Sequence, residues 1–240
     1  MVKFACLARF FNPYEQEVKF AKENGFDFMQ LWYDREGLAL EKDENAIEVI
    51  NQYAFPTIIH AVLDLVDFEE HIPKLIDILN QLNHKELIIH PICEVNPITD
   101  ESIHELCDKV KWSFNLLEAQ GITLYLENNS RLDPIFQTPQ EIETLFKINP
   151  QVEFLLDIAH IDDYHHLEQL VQIKKPKILH VADRHLNVIH EHLPIGEGEI
   201  NYQMIFESIL PHFEGRIILE IVQSDVAIIE SKSILKSYLI

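Results

Sequence analysis

Glycine is scarce in this chain, at 6 of 240 residues. A doubly wound dinucleotide-binding sheet needs a Gly-rich phosphate turn after its first strand, and "CLARFFNPYEQE" offers no glycine there. Basic residues are also few: 19 Lys and Arg face 40 Asp and Glu, a formal net charge of -21. Such a chain repels phosphate backbones and anionic lipid surfaces, so neither nucleic acid nor membrane is an expected partner. The three cysteines, Cys6, Cys93 and Cys107, lie on apolar-patterned segments without C-x-x-C spacing. Neither a disulfide framework nor a zinc ribbon is implied. No apolar run approaches the roughly 18 residues of a membrane span. The start "MVKFACLARFF" is broken by Lys3 and Arg9 and lacks a cleavage motif, so export is not expected. A reducing, cytoplasmic location follows.

Apolar residues, by contrast, are plentiful at 47%, enough for a well-buried core. Short apolar runs alternate with longer amphipathic ones from end to end, with no linker or low-complexity tract. The strand candidates are "KFACLA" (3–8), "FDFMQLW" (26–32), "PTIIHAV" (56–62), "ELIIHPI" (86–92), "TLYLEN" (123–128), "EFLLDIA" (153–159), "KILHVAD" (177–183) and "RIILEIV" (216–222). Between them, Asn12 and Pro13 open a helix that Gly25 can close, and "TPQE" at 138–141 reads as a capping box. Ile103, Leu106, Cys107, Val110, Phe114 and Leu117 keep one face of a helix over 100–120, which Gly121 can terminate. Eight strand-then-helix units in 240 residues are about 30 residues each, the size of a βα repeat. The pattern predicts a single (β/α)8 TIM barrel occupying 1–240 as one domain, compatible with a homo-oligomer.

Barrel chemistry sits at the C-terminal ends of the strands. There the polar residues interrupting the apolar runs are His60, His90, Glu127, Asp157, His180 and Glu220. A desolvated carboxylate in such a place is costly unless a cation, a donor or water compensates it. Any one of them can be a strand-end ion pair or backbone cap. Glu127, Asp157, His180 and Glu220, however, come from four successive strands whose ends converge. Three carboxylates and an imidazole suit one divalent ion, Mn²⁺, Mg²⁺, Co²⁺ or Zn²⁺, with positions left for substrate oxygens.

The segments "LIIHPI", "LYLENN", "FLLDIAH", "ILHVAD", "HLPIGEGEINY" and "IILEI" together resemble the xylose-isomerase-like barrel superfamily. It includes hydroxypyruvate isomerases, ketose 3-epimerases, inositol-pathway enzymes and, more distantly, the endonuclease IV group. The more specific pieces are Asp157-Ile-Ala-His160 and the run Gly196 to Tyr202. The resemblance implies a metal-dependent sugar isomerase or epimerase. Glu127, Asp157, His180 and Glu220 would hold the metal, and both glutamates would move protons. His160 falls at a substrate-contacting position, with His60, His90, Arg184 and His192 as further candidate contacts. Two departures stand out: Gln30 replaces a glutamate often found on the second strand, and Arg184 matches the usual basic contact only loosely. His60, His90, His160 and His192 also fall where the endonuclease IV group places further zinc ligands, although that group has an aspartate at the position of His190. A multi-zinc site and a phosphoesterase activity therefore form the alternative reading. A sugar-binding barrel without catalysis is a third.

Residues 183–193 are expected to form a loop over the mouth, with Gly196 and Gly198 letting the backbone turn back to a helix beginning near Asn201. His185, His165 and His166 are expected to be solvated, and Trp32 is either a pocket wall or a core aromatic. The acidic run "DREGLALEKDE" (34–44) reads as a solvent-facing segment.

Overall fold

The computed structural model describes residues 2–40, 45–95 and 97–239. Each of the eight apolar runs coincides with a parallel strand, the second and third extending two residues beyond the expected end: Lys3–Leu7, Phe28–Asp34, Thr57–Asp64, Glu86–Ile92, Thr123–Glu127, Glu153–Asp157, Ile178–Val181 and Arg216–Leu219. Taken in this order as the first to eighth, each strand pairs with its chain neighbours. The first pairs both with the eighth, from Lys3↔Arg216 to Cys6↔Leu219, and with the second, from Ala5↔Phe28 to Leu7↔Gln30, so the sheet closes on itself. Gly37–Leu38 adds a two-residue antiparallel strand to the second.

The surrounding helices are Tyr14–Glu23, Ala46–Tyr53, Phe68–Leu82, Asp100–Glu118, Pro139–Ile148, Tyr164–Ile173, the short Tyr202–Met204 continued by a π-helical turn Ile205–Ile209, and Asp225–Tyr238. Their ends follow the local chemistry. Thr138 Oγ1 accepts from the Glu141 N–H at 3.3 Å while Glu141 Oε2 accepts from the Thr138 N–H at 3.0 Å, the reciprocal box expected there. Gly121 takes φ +67° after the fourth helix, a left-handed stop that costs glycine little. At the first helix Pro13, not Asn12, occupies the cap, and Asn12 Nδ2 donates to Glu17 Oε1 instead. His166 is buried rather than solvated. It shares the inward face of its helix with Leu167 and Leu170; its Nδ1 accepts from the Asp162 N–H and its Nε2–H donates to the Gln137 carbonyl, each at 3.0 Å. His165 beside it is exposed. In the acidic run, Arg35 and Glu36 are exposed, and 41–44 lie outside the described residues.

Alternation along the strands sorts side chains into layers. One residue from each strand forms a buried apolar disc: Ala5, Phe28, Ile58, Ile88, Tyr125, Leu155, Ile178 and Ile218. Beneath it Arg216 lies over the Phe28 and Tyr125 rings, 5.4 Å from each centroid, and its Nη1–H donates to Glu86 Oε2 at 2.7 Å. Two positions toward the C-terminus of each disc residue stand Gln30, His60, His90, Glu127, Asp157, His180 and Glu220, with Leu7 from the first strand completing the circuit. The next inward layer of the barrel is therefore almost wholly polar.

Candidate metal centre

The polar ring is desolvated. Gln30, Glu127, Asp157 and His180 are at most 1% exposed, so each charge needs a partner inside the barrel. Glu127 is the hub. Its Oε2 lies 2.5 Å from His60 Nε2 and 3.3 Å from His90 Nδ1, and its Oε1 lies 3.0 Å from His180 Nδ1 and 3.8 Å from His160 Nδ1. Burial raises the Glu127 carboxyl, but the imidazoles of His180, His60 and His90 outweigh it and hold the group well below the usual carboxylate range.

His180 Nδ1 also lies 3.2 Å from Glu220 Oε1 and 4.0 Å from Asp157 Oδ2. Burial opposes the charged imidazole, yet Glu220 and Glu127 push His180 up to about 9. Gln30 decides which ring nitrogen faces the site. Its amide Nε2–H donates to Glu220 Oε1 at 2.7 Å, and a carboxylate can only accept, so its carbonyl faces His180 Nε2, also at 2.7 Å. His180 Nε2 therefore carries a hydrogen and Nδ1 turns to the carboxylates.

Asp157 Oδ1 accepts from the Ala159 N–H at 2.6 Å, whereas its buried Oδ2 has no hydrogen-bond partner among the described residues. Burial and the Glu220 charge push this carboxyl up to about 7. His160 Nε2, 3.4 Å from that oxygen, is likewise buried and unpaired, and burial lowers His160 to about 4. Orphaned atoms of this kind cost about 1–3 kcal/mol each when nothing binds them. They are what a cation would satisfy.

Ligand atoms of Glu127, Asp157, His180 and Glu220 all lie within 4.8 Å of one another, and this oxygen-rich set can hold a single divalent metal. Three further groups meet the same limit: His60, Glu127 and His180; His90, Glu127 and His160; His160, His190 and His192. The first two share Glu127 with the oxygen-rich set and the third joins them through His160.

The candidate substrate contacts divide. His60, His90 and His160 face the ring. His192 approaches it from the seventh loop, with Nδ1 3.6 Å from Glu220 Oε2. Arg184 is buried, and its guanidinium donates to the backbone carbonyls of Ile161 and Val188, which pins the loop. Trp32 is half-buried with its ring 5.3 Å from that of His60. His185 is exposed and paired with Glu191 at 2.9 Å, as expected. Two participants were not evident from sequence. His190 stacks on His192 at 4.8 Å between centroids, and Asp133 Oδ2 stands 3.7 Å from His90 Nε2. The spacing His190-Glu-His192 was visible, but only the loop's fold brings both rings over His160.

The loop itself is closed at its base by paired backbone bonds, Asp183 N–H to Leu193 O at 2.8 Å and the reverse at 2.7 Å. The Asp183 carboxylate then accepts from three backbone N–H groups, those of Arg184, Gly196 and Ile200, at 2.9, 2.8 and 3.0 Å. Gly196 has φ +95°, and a Cβ on Gly198 would stand 2.4 Å from Asp183 Oδ1 and 2.6 Å from Arg184 N. These two glycines wrap the loop around a buried carboxylate.

A closed (β/α)8 barrel with a ring of metal-ligating side chains at its strand ends defines the class. The chain belongs to the xylose isomerase-like TIM barrel family, whose pattern matches residues 18–238. Comparison with curated proteins gives no match. Among solved structures it is similar to a D-tagatose 3-epimerase-like protein, with 24% identity and a TM-score of 0.75 over 99% of this chain and 97% of that one. It is also similar to the probable 3-DHS dehydratase AsbF from Bacillus anthracis (17%, TM-score 0.76, 98% and 99%). An AP endonuclease, family 2, from Brucella melitensis is a third (19%, TM-score 0.67, 92% and 93%). At these identities the likeness to solved structures carries the fold. No helix among the described residues is long and apolar enough to cross a membrane.

Proposed function

We propose that the chain is a metal-dependent isomerase or epimerase of a small sugar, ketose or related polyhydroxy carbonyl compound, working as one domain over residues 1–240 in the cytoplasm. The observation that carries this reading is the set Glu127, Asp157, His180 and Glu220, four ligands from four successive strand ends within 4.8 Å. They would hold one divalent ion, Mn²⁺, Mg²⁺, Co²⁺ or Zn²⁺. The ion would supply a Lewis acid for adjacent carbonyl and hydroxyl oxygens, lowering the pKa of the neighbouring C–H.

The protein's own part is proton transfer. Glu127 ends the fifth strand and Glu220 directly follows the eighth, three steps apart around the barrel, so they would reach different sides of a sugar lying across the mouth. One carboxylate removes the C–H proton, and the other returns a proton at the neighbouring carbon or the opposite face. His160, His60, His90 and His192 would orient hydroxyl groups, and Arg184 would hold the loop above them. Structural relatives named as 3-epimerases support the same chemistry.

The second reading is a phosphoesterase with several metal ions, favoured by the His90–Glu127–His160 and His160–His190–His192 groups. The charge of -21 counts against a nucleic-acid substrate. Metal-loaded wild type, Glu127→Gln and Glu220→Gln should be assayed over a ketose panel in D₂O, with metal content per chain. Either substitution should abolish net turnover, while one variant retains C–H exchange. Wild-type rates in both variants would sink the two-glutamate mechanism. About three metal ions per chain with incision at abasic sites would establish the phosphoesterase.

A further inference from the structure

The ladder between the fifth and sixth strands ends before it reaches Asp157. It runs Tyr125↔Glu153, Leu126↔Phe154 and Glu127↔Leu155, so the backbone of Asp157, two residues further on, lies beyond the last pair. The side chain of Asn128, the residue after Glu127, takes over there. Its Oδ1 accepts from the Asp157 N–H at 2.8 Å and its Nδ2–H donates to the Asp157 carbonyl at 3.2 Å. A carboxamide carries the donor and the acceptor of a peptide unit, so it can continue a ladder that the backbone has left. Asn128 is fully buried, and both ends of its amide are engaged by one residue.

The bond is returned one turn later. His160 Nδ1 lies 3.0 Å from the Asn128 backbone carbonyl, and a carbonyl can only accept, so Nδ1 carries the hydrogen and Nε2 is the nitrogen left beside Asp157 Oδ2, at 3.4 Å. Asp157 and His160 are joined by the 3₁₀ turn Ile158–His160, which Asp157 Oδ1 caps through the Ala159 N–H at 2.6 Å. Asn128, Asp157 and His160 thus close a ring of bonds, side chain to backbone in one direction and backbone to side chain in the other. On the opposite flank the Asn129 Nδ2 group donates to the carbonyls of Ile135, at 2.8 Å, and of Pro91, which follows His90 on the fourth strand. Glu127 is therefore succeeded by two asparagines, one tied to each neighbouring strand.

We propose that Asn128 is a positioning residue of the metal centre: its side chain holds Asp157 beside Glu127, and its carbonyl fixes which nitrogen of His160 faces that carboxylate. The inference rests on the metal-binding part of the isomerase reading and adds a residue that is itself neither ligand nor base. Only an amide serves both Asp157 groups. Leucine fills the same volume but leaves the Asp157 N–H and carbonyl unpaired, and aspartate keeps an acceptor for the N–H but sets an anion against the carbonyl.

The test compares wild type with Asn128→Leu, Asn128→Ser and Asn149→Ala. Asn149 is also fully buried and donates through Nδ2–H to a backbone carbonyl, that of Cys107 at 3.1 Å, but it caps the fifth helix, ahead of the sixth strand rather than beyond its end. Chelator-treated protein is titrated calorimetrically with Mn²⁺, and the imidazole tautomers are read by ¹⁵N NMR of histidine-labelled samples, with His160 assigned from His160→Gln. Both Asn128 substitutions should weaken Mn²⁺ binding about 10–100-fold and release His160 from its single Nδ1–H form into a mixture of tautomers. Asn149→Ala should lower the melting temperature and leave both readouts at wild-type values. Where leucine prevents folding, serine, which leaves room for water at the freed Asp157 groups, carries the test. Unchanged Mn²⁺ affinity or an unchanged His160 tautomer in a folded Asn128 variant, or an equal loss of affinity in Asn149→Ala, would overturn the assignment while leaving the isomerase reading in place. A wild type that takes up no divalent ion would sink that reading and the positioning role with it.

Discussion

Replacing Asp157 by asparagine should stabilise the metal-free protein while crippling metal binding. The Asp157 carboxylate is 1% exposed, one oxygen is held by the Ala159 N–H and the other has no hydrogen-bond partner among the described residues. Burial and Glu220 move it from 3.8 to about 7. A carboxyl raised in the folded state is ionised more easily in the unfolded chain. Its burden on the fold is therefore absent below about pH 4, grows as pH rises, and is complete above about pH 7. At 1.36 kcal/mol per tenfold change in proton affinity, the displacement corresponds to roughly 4 kcal/mol, an upper figure because Glu220 shares the strain. Asp157→Asn keeps an acceptor for the Ala159 N–H and removes the charge. Urea unfolding of chelator-treated protein should show a gain of about 2–4 kcal/mol at pH 8 and little at pH 4. Calorimetric metal affinity should fall by more than the roughly 10–100-fold that loss of a supporting residue costs. A metal-free variant no more stable than wild type at pH 8 would refute this account of the site.

Gly198→Ala should cost about 2–4 kcal/mol, because its Cβ meets Asp183 and the Arg184 backbone, whereas Gly121→Ala, with open space and only a left-handed φ to strain it, should cost about 1 kcal/mol. Equal losses in thermal melts would contradict the nested carboxylate. Metal affinity should rise as pH increases toward 9, since the proton on His180, held up to about 9 by Glu220 and Glu127, must leave before Nδ1 can coordinate. Calorimetry in two buffers of different ionisation enthalpy should register that release, and an affinity flat from pH 6 to 9 would exclude it. Gln30→Leu should weaken metal binding about 10–100-fold by freeing His180 and Glu220 from their common bridge; unchanged affinity would reduce Gln30 to filler.

Much of the site was legible because its residues interrupt strands. Glu127, Asp157, His180 and Glu220 each end an apolar run, and a barrel converts consecutive strand ends into neighbours. His60 and His90 announced themselves the same way. Gln30 looked only like a missing glutamate, because a bridge between His180 and Glu220 spans 150 and 190 residues of sequence and appears only when the barrel closes. The cluster in the seventh loop was harder still. Three histidines in eight positions carry no periodicity that distinguishes His185, turned to Glu191 in solvent, from His190 and His192, turned over the ring. The outcome depends on Asp183 and Leu193 pairing at the loop base. Likewise His166 and His165 differ only in helical face, one inward with Leu167 and one outward.

The ring and the apolar disc lie two residues apart on the same inward face. A single residue inserted or deleted within a strand would turn that strand's ligand outward against the helices and bring an outward residue such as Leu156 or Leu179 to the barrel axis. Ligand and core would be lost together, so a register error cannot yield a well-folded but miswired barrel. Changes of length in the loops beyond the strand ends touch neither layer. Inheritance can therefore rework what the mouth admits while the ligand ring stays under the same quality control as the fold.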